Sequence, residues 1–192
     1  AVRFSGRTVQ QSGGWQTNAL TGKTIGDINN IALRGQALWT PTPELTVNLQ
    51  GTYVYNESDQ QLREHVGYYA KGGSGYCAAA LAGKLDPTTC ADILGYSDPT
   101  PGRRVVENSA TYGYENKSRS EGVALNVSYD FGGVTLTSIT GYNHFNRVSG
   151  DDSDGSALIE LDTRFTDDIK SFTQELRLTS DNDSPLSWVA GA

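Results

Sequence analysis

The sequence predicts an all-β protein, an antiparallel up-and-down meander of about seven strands. Several stretches of the chain alternate apolar and polar residues with a period of two, as a strand with one apolar face does. The connections between these stretches are alternately long and short, which places the long loops together at one end of the sheet. The 192-residue chain contains no run of roughly 20 apolar residues, so a helical membrane protein is excluded.

The clearest strand runs from Leu45 to Tyr55. Its odd-numbered residues are mostly apolar and its even-numbered residues are mostly polar, and successive side chains of a strand point to opposite faces. The same alternation, cleaner in some stretches than in others, predicts strands at about 2–11, 31–40, 45–57, 119–130, 134–147, 169–180 and 186–192.

The connections between these strands divide into two kinds. The short ones, at 41–44, 131–133 and 181–185, contain the Pro, Gly, Asn and Asp residues that form tight turns. The long ones run over about 12–30, 58–118 and 148–168. Short turns at one end and long loops at the other are typical of outer-membrane β-barrels.

A soluble β-sandwich is the alternative, because its strands also alternate. We favour the barrel because long structureless loops are uncommon in compact domains. Aromatic residues also fit the girdles at the two membrane interfaces. Those near the short turns are Trp39, Tyr129 and Trp188, and those nearer the long loops are Tyr53, Tyr55 and Tyr142.

In a barrel of this kind the polar face of each strand borders a water-filled lumen and the apolar face contacts lipid. The side chains predicted to face the lumen are Arg34, Gln36, Asn48, Gln50, Asn126, Glu175 and Arg177. The side chains predicted to face lipid are Leu33, Trp39, Val47, Leu49, Leu125, Val127, Leu176 and Leu178.

The two cysteines, Cys77 and Cys90, lie in the longest loop. A structural zinc site usually needs four ligands in recognisable spacing, and neither histidine is close to them in sequence. We therefore favour a disulfide over two free thiols, which would place the loop in an oxidising compartment.

The same long loop contains a predicted short helix at about 87–94, with Asp86 as its N-cap and Gly95 just past its end. It also carries most of the tyrosines, whose rigid rings and hydroxyls suit ligand contact and loop packing equally. The candidates for ligand contact are Tyr68, Tyr69, Tyr76 and Tyr96.

The segment 151–168 is strongly acidic, with seven carboxylates and one arginine, and oxygen clusters of this kind can bind calcium. Its spacing does not match an EF-hand loop, so we favour a solvated acidic loop and expect no metal site. No catalytic constellation or nucleotide-binding motif occurs, so we predict neither an enzyme nor a cofactor. The net charge of −7 argues against a nucleic-acid partner.

Three segments resemble barrel hairpins of TonB-dependent outer-membrane receptors, in that family's order and spacing. They are IALRGQALWTPTPELTVNL at 31–49, YDFGGVTLTSITGY at 129–142, and FTQELRLTS at 172–180 followed by LSWVAG at 186–191. With the flanking strands, the resemblance covers about two-thirds of the chain. The cysteine-containing loop also resembles, less distinctively, an insertion seen in this family.

The resemblance implies a 22-stranded barrel around an N-terminal plug, with a TonB box that contacts the inner-membrane energy complex. Neither plug nor TonB box is recognisable here, nor is the terminal aromatic residue of a finished barrel. We therefore interpret residues 1–192 as an internal segment of the barrel. The implied function is import of a scarce, bulky solute, with siderophore-bound iron the most common cargo. The alternative is a surface-exposed β-rich binding or adhesion protein without transport.

Overall fold

The computed structural model describes residues 1–84, 86–99, 102, 104–180 and 186–192. Within these residues the chain is almost entirely β-structure. The elements are β1 (Val2–Gln11), β2 (Gln16–Asn18), β3 (Thr24–Ile25), β4 (Ile28–Trp39), β5 (Leu45–Asp59), β6 (Tyr69–Ala70), α1 (Ala78–Leu81), β7 (Cys90–Ala91), β8 (Val105–Val106), β9 (Glu115–Asp130), β10 (Val134–Asp152), β11 (Asp162–Ser180) and β12 (Val189–Gly191).

Seven of these strands form one antiparallel sheet in the order β1-β4-β5-β9-β10-β11-β12. The predicted all-β fold and its seven-stranded antiparallel meander are therefore confirmed. The small strands that separate the members of the meander all belong to the long loops. In the part of the chain that the structure describes, β1 and β12 are the two edges of the sheet and do not pair with each other, so the sheet is open.

The strands are longer at the loop end than the sequence predicts. β10 continues to Asp152 and β11 already begins at Asp162, so the third loop spans 153–161 rather than 148–168. The physical reason is that the ladder is made by backbone groups, which pair equally well where the side chains are polar on both faces. The end of the apolar alternation is therefore not the end of the strand.

Two of the predicted short turns have the expected turn chemistry. At 131–133 the Gly132 N–H donates to Asp130 Oδ1 at 2.8 Å, and Gly132 and Gly133 both adopt positive φ. At 40–44 the Leu45 N–H donates to Thr42 Oγ1 at 3.3 Å. The third predicted turn, 181–185, lies outside the described residues.

The predicted helix at 87–94 is wrong. Asp86 instead accepts hydrogen bonds from Thr88 N at 3.0 Å and from the Thr89 hydroxyl at 2.6 Å, which closes a turn. Cys90 and Ala91 then pair with β6 as a strand. The short helix forms at Ala78–Leu81, where three consecutive alanines supply the highest helix propensity.

The small hydrophobic core lies among the loops and not against the large sheet. We call the described residues of 12–27, 60–114 and 153–161 the loop cap. The buried core cluster consists of Ile25, Leu62, Val106 and Tyr114. All four belong to the first and second loops, which therefore share one core. The third loop joins them through the Ser109 N–H, which donates to the Ser156 carbonyl at 2.9 Å.

Candidate functional site

The large sheet has one apolar face, which the register defines. Directly opposed residues of antiparallel strands share a face. The pairing sets Trp39 opposite Val47, Val47 opposite Val127, and Leu45 opposite Tyr129. All the residues predicted to face lipid share this apolar face, namely Leu33, Trp39, Val47, Leu49, Leu125, Val127, Leu176 and Leu178.

Many large side chains of the apolar face are exposed. Phe4 is 73% exposed, Phe172 68% and Trp39 62%, and no other layer of the described chain packs over them. Soluble monomers rarely expose apolar patches larger than a few hundred Å², and larger ones mark contacts with membranes or other proteins. The apolar face is therefore the first candidate for a functional surface.

The apolar stretch of β5 is long enough to span a membrane. On β5 the apolar alternation runs from Leu45 to Tyr55, after which Glu57 takes the same face. At ~3.3 Å per residue and a tilt of ~45°, this stretch rises ~25 Å, the height of the lipid-facing band of an outer-membrane barrel. On this face, the register places Trp39 and Tyr129 near the end of the sheet with the short turns. It places Tyr53, Tyr55 and Tyr142 nearer the end with the long loops.

The same face becomes charged from the level of the loop-side aromatic residues onward, since Glu121 lies opposite Tyr53 and Arg119 lies opposite Tyr55. Lys117 Nζ lies 2.8 Å from Glu57 Oε1 and 2.9 Å from Glu115 Oε2. Farther along the sheet, His144 Nε2 lies 2.8 Å from Asp168 Oδ1. The strands therefore continue past the apolar band as a polar ribbon that supports the loop cap.

The opposite face of the sheet is mainly polar. Gln50 Oε1 accepts hydrogen bonds from Arg34 Nη2 at 2.5 Å and from Gln36 Nε2 at 3.1 Å, and Arg177 Nε donates to Glu175 Oε1 at 3.0 Å. All the residues predicted to face the lumen share this polar face, namely Arg34, Gln36, Asn48, Gln50, Asn126, Glu175 and Arg177. Apolar side chains interrupt it at Val9, Ile28, Leu38, Val54, Ile139, Phe145, Phe165, Ile169 and Val189.

Buried side-chain hydrogen bonds join the loops of the cap. Gln16 Nε2 donates to the Leu62 carbonyl at 2.9 Å, and the Leu62 N–H donates to Gln16 Oε1 at 2.8 Å. Asn18 is fully buried, and its Nδ2 donates to the Asn108 carbonyl at 2.7 Å and to the Tyr114 hydroxyl at 2.6 Å. These bonds tie the first loop to the second across long sequence separations.

The predicted disulfide between Cys77 and Cys90 is confirmed. Their Cα atoms lie 5.4 Å apart, both residues are buried, and the bond joins the N-cap residue of α1 to β7. The loop that it closes lies within the loop cap. The bond therefore holds together a segment that contains little apolar core of its own.

The four candidate tyrosines divide into two groups. Tyr69 and Tyr76 are exposed and stack with ring centroids 5.7 Å apart, and the neighbouring Tyr68 is 56% exposed. Tyr96 instead packs inside the loop cap, where its hydroxyl donates to Glu107 Oε2 at 2.7 Å. Burial, together with that hydrogen bond, raises the pKa of Tyr96 above its usual range. Three tyrosines are thus available to a ligand, and Tyr96 is a packing residue.

An acidic cluster forms where the sequence predicts a solvated loop. Asp152 pairs opposite Asp162 in the β10–β11 hairpin, and Asp154 joins them, so that oxygens of the three carboxylates lie within 4.8 Å of one another. Ser109 donates its N–H to Asp152 at 3.0 Å. Burial, then the charge of Asp154, raises the pKa of Asp152. Three convergent carboxylates are oxygen ligands of the kind that hard cations such as calcium take.

No protein-family model, curated protein or solved structure matches this chain. No helix among the described residues combines the length and the apolar character needed to cross a membrane. Arguments about function therefore depend on the geometry of the sheet and the loop cap.

Proposed function

We propose that this chain is part of the wall and outer loops of a TonB-dependent active transporter in the bacterial outer membrane. The complete barrel has 22 strands, and its cargo is a scarce, bulky solute, with siderophore-bound iron as the first candidate. The observation that carries this proposal is the exposed apolar face of the sheet, which along β5 has the height of a membrane-spanning band.

Contact with lipid accounts for the exposed side chains of the apolar face. A soluble sheet buries its apolar face against a second layer, but the buried cluster of the described chain lies in the loop cap. Moving a side chain such as Phe172 or Leu176 out of water gains about 1.5–3 kcal/mol. A sheet that leaves a whole row of such side chains exposed is stable only where hydrocarbon or a partner covers them.

The polar face and the open edges support a large barrel rather than a small one. Seven strands in a meander make the first and last strands parallel, so antiparallel closure is impossible, and bacterial single-chain barrels have even strand numbers. A small closed barrel would also bury Arg3, Arg7 and Arg34 together, at several kcal/mol per charge. In a wide barrel these groups contact water instead.

The partners follow from this assignment. Outer-membrane lipid contacts the apolar face, the imported small molecule passes the polar face, and the TonB energy-transducing complex acts through a plug and TonB box supplied by other parts of the protein. Neither a nucleic acid nor a resident cofactor has a role in this scheme.

The test is energy-dependent uptake. Cells that produce the full-length protein are expected to accumulate a labelled ferric siderophore, and to lose that uptake when TonB is deleted or the proton gradient is dissipated. A panel of siderophores, cobalamin, haem and oligosaccharides identifies the cargo. Absence of energy-dependent uptake of every member of the panel would contradict the transporter assignment.

A surface-exposed binding or adhesion protein is the second candidate. The stacked, exposed pair of Tyr69 and Tyr76 in the loop cap favours it, because stacked tyrosines suit contact with a ligand or another surface. Adhesion requires no energy source. Binding of cells to a surface that persists without TonB, combined with no uptake, would favour this function over transport.

A further inference from the structure

Three arginines lie side by side on the polar face of the sheet, where β1 pairs with β4. The register sets Arg34 directly opposite Ser5, and Arg3 and Arg7 are the next residues of β1 on that face. Diagonal neighbours of this kind lie ~7–8 Å apart, within reach of long side chains. All three arginines are exposed, so their guanidinium groups can converge on one solute in front of the sheet. We call Arg3, Arg7 and Arg34 the arginine cluster.

The arginine cluster has no carboxylate partner among the described residues. The ion pairs of the described chain all involve other cations. The two remaining arginines of the polar face are neutralised, since Arg147 pairs with Asp167 and Arg177 pairs with Glu175. The positive charge of the cluster is therefore uncompensated, in contrast to that of the other arginines on the same face.

The polar face also lacks acidic residues at the level of the cluster. Three adjacent rows of opposed residues cross six strands here, and apart from the arginines they hold only neutral side chains. The rows begin on β1 at Arg3, Ser5 and Arg7, and end on β11 at Thr173, Ser171 and Ile169. The whole chain has 22 Asp and Glu residues and a net charge of −7, so these described rows form a basic surface on an acidic chain.

One guanidinium of the cluster is held in place by its neighbours. Gln50 Oε1 accepts hydrogen bonds from Arg34 Nη2 at 2.5 Å and from Gln36 Nε2 at 3.1 Å. A guanidinium has five N–H donors in a fixed plane, so this bond leaves donors of Arg34 for a ligand. Arginine forks match the geometry of carboxylates and similar oxyanions, to which they donate two parallel hydrogen bonds.

The charge of the cluster favours a ligand with several anionic oxygens. A cleft lined by one sign of charge raises the local concentration of oppositely charged solutes. Each charge-assisted fork adds its own energy, so three guanidinium groups on one patch favour a multivalent anion over a monovalent one.

We propose that the arginine cluster binds the imported solute through its anionic oxygens. The cargo then carries several negative charges, as a ferric complex with carboxylate or catecholate ligands does. This inference rests on the proposed function, because the polar face borders a lumen only if the sheet is part of a barrel wall. It names the charge class of the cargo, about which the apolar face of the sheet says nothing.

The experiment is a titration of the full-length protein in non-ionic detergent with pyrenetetrasulfonate, a fluorescent polyanion of fixed charge. Its fluorescence anisotropy is expected to rise to saturation at one site per chain, and the affinity is expected to fall as salt is added. Arg34→Gln should weaken binding by about tenfold, the effect of losing a charged hydrogen bond. Arg3→Gln combined with Arg34→Gln should abolish binding.

The matched control is the double variant Arg147→Gln with Asp167→Asn. It removes a cation of the same face together with its paired anion, so the net charge of the face is unchanged. This variant should bind the dye as the wild type does. Heat-modifiable migration on gels checks that each variant has an assembled barrel.

Three results would overturn the proposal. Absence of dye binding by the wild type up to millimolar concentration would indicate that carboxylates of a neighbouring barrel strand neutralise the cluster. Equal affinities of the wild type and Arg34→Gln would exclude the cluster as the binding site, as would an equal loss of affinity in the control variant.

The dye titration needs no energy source, so the two proposals fail separately. Dye binding without energy-dependent uptake of any cargo would contradict the transporter and leave an anion-binding surface. Uptake without dye binding, or uptake of an uncharged cargo, would contradict the anion site and leave the transporter.

Discussion

Val47 and Asn48 are neighbours in β5, yet their side chains lie on opposite faces of the sheet. Val47 pairs opposite Val127 on the apolar face, and Asn48 pairs opposite Asn126 on the polar face. Valine thus lies opposite valine on the apolar face, and asparagine lies opposite asparagine on the polar face. If the apolar face contacts lipid, the two positions should differ sharply in their tolerance of charge.

The first prediction compares these two positions. On this assignment Val47→Arg is expected to impair assembly, because a charge on the lipid face costs about 2–4 kcal/mol at the bilayer midplane and less toward the turn-side interface, where Val47 lies opposite Trp39. Asn48→Arg is expected to be tolerated, because the polar face meets water. The measurement is the yield of protein in the outer membrane and its heat-modifiable migration on gels. Equal yields for the two variants would contradict the face assignment.

The period-two pattern was enough to predict the sheet and its faces. Apolar side chains from Leu45 to Tyr55 occupy one side of a strand whatever their partners are, so the faces follow from local sequence alone. The ends of β10 and β11 were not predictable in this way, because backbone pairing continues through the polar residues up to Asp152 and from Asp162.

The loop cap could not be predicted because its contacts are distant in sequence. Gln16 binds the backbone of Leu62, and Asn18 binds Tyr114. No local sequence pattern predicts either contact. The helix prediction failed at Asp86 because a capping residue can equally close a turn.

The second prediction concerns Cys77 and Cys90. Replacing both by Ser is expected to destabilise the enclosed loop by about 3 kcal/mol, the chain-entropy value for a closed loop of this size. The measurement is limited proteolysis of intact cells, in which the variant should be cleaved between these positions faster than the wild type. Because the bond joins no strand of the seven-stranded sheet, the yield of protein in the outer membrane should stay unchanged. A fall in that yield equal to that of Val47→Arg would contradict a purely local role.

The third prediction concerns Asn18, the buried link between loops. Asn18→Ala removes the donor to the Asn108 carbonyl and the Tyr114 hydroxyl, at about 1–3 kcal/mol, and leaves that hydroxyl with Thr21 as its remaining side-chain partner. Hydrogen exchange of the loop cap should accelerate in both the first and the second loop. Tyr114→Phe is the matched control, since it removes only the hydroxyl and should have a smaller effect. Acceleration confined to the first loop would show that Asn18 does not couple them.

The fourth prediction is a pH dependence at Asp86. Hydrogen bonds from Thr88, then Thr89, lower the pKa of Asp86 to about 2. Because the folded pKa lies below the unfolded value, the stabilisation is fully present above the unfolded pKa and is lost as pH falls toward about 2. Exchange of the amides at 88–90, corrected for intrinsic rates, should rise over that window. Asp86→Asn should show no such rise, and the same pH profile in both proteins would refute the role of Asp86.

The last prediction concerns the two open edges of the sheet. β1 and β12 each pair on one side only in the described structure, and β1 carries the exposed apolar side chains of Val2 and Phe4. Unpaired strand edges and uncovered apolar faces are templates for association. Residues 1–192 made alone are therefore expected to aggregate in water and to disperse only in detergent, as sedimentation would show. Val2→Lys with Phe4→Lys should reduce aggregation in water. A soluble, monodisperse segment without detergent would contradict the barrel-wall assignment and favour the surface-binding alternative, because its apolar face would then need no lipid.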